Sequence, residues 1–104
     1  MTDEFEKKKR EEYLEQAKSH IDLAQEELDG LKDAANRCDI LDTILTFRNV
    51  FLHIEHSRHY IGDARPPEKT VIELGEDWDR IETGAVRALQ DMPCEVKKLE
   101  PTKT

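Results

Sequence analysis

A chain of 104 residues with a formal net charge of -8 has room for one domain with a modest core and no second one. Charged residues make up 38% against 37% hydrophobic, so periodic placement rather than bulk hydrophobicity must build the fold. No apolar run approaches bilayer length, the opening MTDEFEKKKREE does not read as a signal peptide, and the acidic surface disfavours direct nucleic-acid binding, which leaves a cytoplasmic protein as the expectation.

The first periodic segment alternates spacings of three and four through Leu14, Ala17, Ile21, Ala24, Leu28 and Leu31, with charged residues between. This pattern predicts a helix over about residues 3–36. Its end falls either at Asp29-Gly30 or in ANRCD, where Asn36 ends one helix and Asp39 caps the next. The second segment, about 39–61, places Ile40, Ile44, Phe47, Phe51, Ile54 and Ile61 on one stripe, widened by Leu41, Leu45 and Leu52. So broad an apolar face predicts the central helix, ending at Gly62. GDARPP then forms the connection, because proline cannot continue a helix but can begin one.

The third segment, about 67–92, repeats the alternation through Val71, Leu74, Trp78, Ile81, Ala85, Ala88 and Met92. Gly75 and Gly84 weaken it by about 1 kcal/mol each relative to alanine, or permit close helix approach. Residues 94–104 read as a flexible tail. The fold class is therefore all-α: an up-down-up antiparallel three-helix bundle of long helices in a single domain, 1–93, open to completion by dimerisation. Cys38 and Cys94, distant in sequence and without a CxxC partner, read as free thiols.

Chemistry-bearing groups concentrate in FRNVFLHIEHSRHY, residues 47–60. On a helix, Asn49, His53, His56 and Tyr60 fall on one line, opposite the apolar stripe, so an outward polar face is expected. His53 and His56 at i, i+3 would reach one ion, with His20, Glu55 or a second subunit supplying further ligands. The spacing of the established zinc motifs is missing, and no metal or cofactor is assigned.

The run RNVFLH, Arg48 to His53, resembles the R-x4-6-H motif of HEPN domains, all-helical proteins whose active members cleave RNA at a dimer cleft. The resemblance covers those six residues. It implies a metal-independent ribonuclease in which Arg48 stabilises phosphate charge, Asn49 is its polar companion and His53 handles the proton of the RNA 2′-hydroxyl.

The favoured reading is instead protein–protein interaction by a small acidic regulator, inhibitor, antitoxin-like or adaptor protein, forming a homodimer or binding a basic partner protein. The candidate contact residues are Arg48, Asn49, His53, His56 and Tyr60, flanked by arginine on an otherwise acidic chain, and the acids Glu73, Glu76, Asp77 and Asp79 of the third helix. Residues 1–30 hold ten acids against five bases and residues 67–92 seven against three, whereas residues 31–66 are balanced. The negative charge therefore lies on the outer helices.

Overall fold

A computed structural model describes residues 2–94, and those residues form three helices and no strand. Helix α1 spans Thr2–Asn36, α2 Ile40–Ala64 and α3 Glu68–Gln90. They pack as an antiparallel all-α bundle in which α1 and α2 share the longest seam and α3 lies against both. At 1.5 Å per residue α1 is about 52 Å long, two to three times the width of a helix pair. The tail expected beyond Cys94 lies outside the described residues. No helix among the described residues is long and apolar enough to cross a membrane.

Helix α1 does not stop at Gly30. It continues to Asn36 and closes with the Asp39 amide donating to the Ala34 carbonyl (3.1 Å) and the Cys38 amide to the Ala35 carbonyl (3.1 Å). This paired bonding satisfies carbonyls at the helix end, with Cys38 in the left-handed position (φ 59°) that glycine usually takes. Asp39 then caps α2, its carboxylate accepting from the Asp42 amide at 3.1 Å. Arg37 gathers Asp33, Asp39 and Asp42 around the corner at 3.1 to 3.6 Å. Helix α2 likewise runs past Gly62 and closes at Arg65, whose amide donates back to the Ile61 carbonyl at φ 48°.

The core joins Ala17, Ile21, Ala24, Leu28 and Leu31 of α1 to Val50, Ile54 and Ile61 of α2 and to Leu74, Ile81 and Ala85 of α3. Full burial of Leu31, Ile54 and Ile81 stabilises by about 1.5–3 kcal/mol each. Half-way along the bundle one hydroxyl links all three helices. Ser57 of α2, fully buried, donates to the Ala17 carbonyl of α1 (2.8 Å) and accepts from Trp78 Nε1 of α3 (2.8 Å). Arg58 then lies over the Trp78 ring at 5.4 Å and donates through Nη2 to both Glu82 oxygens at 3.0 Å, which explains an arginine at the edge of an apolar stripe. Gly84 allows the close approach of α1 and α3, since a Cβ there would stand 3.1 Å from Leu28 Cδ2.

Two expectations are corrected. Cys38 and Cys94 are joined in a disulfide rather than free. The up-down-up path returns the end of α3 to the α1–α2 corner, bringing two cysteines 56 residues apart to a Cα–Cα distance of 5.7 Å, within disulfide reach. Helix α2 is also turned relative to its hydropathy stripe. Its buried line is Thr43, Thr46, Val50, Ile54, Ser57, Ile61 and Ala64, and the large residues Leu41, Ile44, Leu45 and Leu52 remain 69%, 57%, 49% and 44% exposed. The seam with α1 is lined by alanines, so close packing selects small residues on α2. The hydroxyls of Thr43 and Thr46 are satisfied by the carbonyls of Asp39 (2.7 Å) and Asp42 (2.6 Å), so their burial leaves no unpaired group.

Candidate functional site

Turning α2 changes the surroundings of its polar line. The line of Asn49, His53, His56 and Tyr60 borders the α1 seam instead of facing outward. Asn49 donates to Glu27 of α1 at 3.3 Å, and Tyr60 stacks near Tyr13 of α1 with ring centroids 6.1 Å apart. His53 and Tyr60 are half-buried, whereas Asn49 and His56 stay exposed.

His20 of α1 occupies the middle of this line. Its Nδ1 stands 3.1 Å from His53 Nδ1, its ring meets His56 edge-on at 5.0 Å, and its other neighbour is Tyr60, stacked at 5.7 Å. The short separation assigns a hydrogen bond, so one of the two imidazoles carries its proton on Nδ1 and the other presents a lone pair there. Ligand-capable atoms of His20, His53 and His56 all lie within 4.8 Å of one another. Burial first, then His56 and His53, lower the pKa of His20, which favours the neutral imidazole. His59 takes no part in the cluster and faces Asp63 at 3.7 Å on the outside of α2.

Arg48 is separated from His53. Five residues of helix turn them about 140° apart, so His53 joins the α1 seam while Arg48 sits among Phe47, Phe51, Leu52 and Glu55 on the opposite side of α2. Within one chain the arginine and histidine of the HEPN-like run thus open onto different surfaces. On α3, Glu73, Glu76 and Asp79 are exposed, and Asp77 is half-buried beside Arg80 at 3.4 Å.

The outer side of α2 is the second distinctive surface. Leu41, Ile44, Leu45, Arg48, Leu52 and Glu55 share it, with Phe51 half-buried at its edge and Gly62 exposed further along. The sequence signalled Leu41, Ile44, Leu45, Phe51 and Leu52 as apolar but assigned them to the core, and it placed Arg48 among the candidate contact residues. The histidine cluster depended on the register of α1 against α2, which spacing along one helix does not contain.

Comparison of the chain with family models, curated proteins and solved structures found no match. The functional reading therefore rests on these two surfaces.

Proposed function

We propose that the protein acts by protein–protein contact, and that the outer face of α2 is where a second copy of the chain docks. The observation that carries this is the row Leu41, Ile44, Leu45 and Leu52, large apolar side chains left in water on one face over three turns. The charges on that face favour a copy of itself. When two α2 helices lie antiparallel about a twofold axis near residues 51 and 52, Arg48 of each opposes Glu55 of the other, and Phe51 meets Leu52 at the centre. Leu41 then falls over Gly62, where no side chain obstructs it. A twofold contact needs one patch that complements itself, and this pattern does so in both charge and size. The dimer carries the exposed acids Glu73, Glu76 and Asp79 on α3, a surface suited to a basic protein partner.

Solution mass provides the test. The wild type is expected to sediment as a dimer, Leu52→Asp as a monomer. Arg48→Glu and Glu55→Arg place like charges together and each is expected to weaken the dimer, whereas an equimolar mixture of these two variants restores opposite pairs and reassociates. A wild type that is monomeric at its highest soluble concentration overturns the proposal, as does a mixture that gains nothing over its components.

A further inference from the structure

We propose that His20, His53 and His56 form a three-imidazole site for a transition-metal dication of the zinc class, with a fourth position open to solvent. The site lies on the α1–α2 seam, on a different side of α2 from the docking face, and does not depend on dimerisation.

Zinc–nitrogen bonds of 2.0–2.1 Å in a tetrahedral shell place two ligand nitrogens about 3.3 Å apart. His20 Nδ1 and His53 Nδ1 are already at 3.1 Å, and the whole set lies within 4.8 Å, so small side-chain rotations complete the shell. Two helices contribute. His53 and His56 share a face one turn apart on α2, and His20 approaches from α1 between them. The ion would replace the hydrogen bond joining two of the rings and turn three neighbouring imidazoles into one coordinated unit.

The donor set selects the metal. Three imidazoles and no carboxylate suit zinc, copper, nickel and cobalt, and provide little for calcium or magnesium, which take oxygen ligands. The two cysteines are bonded to each other at the far corner of the bundle and do not compete as thiolates. Stacking of His20 on Tyr60 fixes the plane of that ring. His56 is exposed and the other two histidines are half-buried, leaving one open side for entry of the ion and for a water or exogenous ligand in the fourth position.

The test titrates zinc into the full-length oxidised protein by calorimetry, and uses cobalt in place of zinc to read coordination from its visible absorption. One zinc per chain is expected, with a tetrahedral cobalt spectrum. Loss of even an outer-shell partner weakens metal sites by about 10–100-fold, so His20→Gln, His53→Gln and His56→Gln are each expected to lose at least about tenfold in affinity. His59→Gln, outside the cluster, retains wild-type affinity. X-ray absorption of the wild-type zinc complex is independent of how the variants fold, and is expected to show imidazole nitrogens in the first shell. No binding by the wild type, a first shell without imidazole, or undiminished affinity in folded His20→Gln overturns the proposal.

Discussion

Ser57 has an effect out of proportion to its size, because its single hydroxyl both donates to Ala17 of α1 and accepts from Trp78 of α3. Replacing Ser57 with alanine leaves the Trp78 indole N–H without that partner, a loss of about 1–3 kcal/mol in stability measured by denaturant unfolding. Trp78→Phe removes the donor, so the double variant is expected to lose less than the sum of the two single variants; strict additivity would show that the link contributes nothing. His20 makes a second residue-scale prediction. Its folded pKa lies below the ordinary value of 6.5, chiefly through burial. As pH falls through 6.5 the unfolded chain takes up the proton first. Stability therefore drops with acidification and levels off only below the folded pKa. In chelator-treated protein, His20→Gln is expected to flatten this part of the stability–pH profile, and a profile of unchanged slope would contradict the assignment. Trp78 was legible from the stripe as a residue that packs on the core. The role of Ser57 was not, because a serine in an apolar pattern does not reveal which neighbours complete its bonds.

Helix α2 shows why an element can be located from its periodicity and still be turned wrongly. Hydropathy finds the side with the largest apolar residues, but α1 presents Ala17, Ala24, Ala34 and Ala35 along its buried face. The closest seam then takes Thr43, Thr46, Val50 and Ser57, with each hydroxyl satisfied by a carbonyl. One helix end was misplaced. Gly62 looks like a stop, yet α2 closes at Arg65, a non-glycine residue in the left-handed conformation, whereas α1 ends in the ANRCD corner, one of its two expected ends, with Cys38 in the same conformation. At Cys38 the bond to Cys94 holds that corner against the end of α3. Closing a loop of this length contributes about 2–4 kcal/mol through the unfolded chain. Reduction is expected to lower the unfolding free energy by that amount, and Cys94→Ser to reproduce the effect without reductant. Equal stability of oxidised and reduced protein would remove the disulfide from the account.

At the scale of the whole molecule, the three-helix all-α architecture was readable because the three stripes repeat the helical period and the connections are short. What brings distant residues together was not readable, since it depends on which faces meet and at what register. The disulfide belongs to this class, and the histidine cluster does in part, since spacing pairs His53 with His56 but leaves His20 as one of several possible third ligands. The two nevertheless occupy different parts of the bundle. The disulfide clamps the end of α3 to the α1–α2 corner, whereas His20 lies sixteen residues before Asn36, about 24 Å back along α1, and its partners are all on α2. The α1–α2 seam that holds the cluster is the most extensive in the bundle, and Ser57 pins it from within. Reduction should therefore loosen α3 without moving His20 away from His53 and His56. When the bond is removed by Cys38→Ser together with Cys94→Ser, which leaves no thiolate pair to compete for the ion, zinc affinity is expected to stay within about threefold of the oxidised wild-type value, less than the tenfold that corresponds to 1.4 kcal/mol. Bound zinc should raise the unfolding temperature of both forms, because a ligand held by the folded state alone stabilises it whatever the starting stability. If loss of the disulfide abolished zinc binding while the helices remained folded by circular dichroism, the seam would depend on α3 for its register, and the corner and the middle of the molecule would be one cooperative unit.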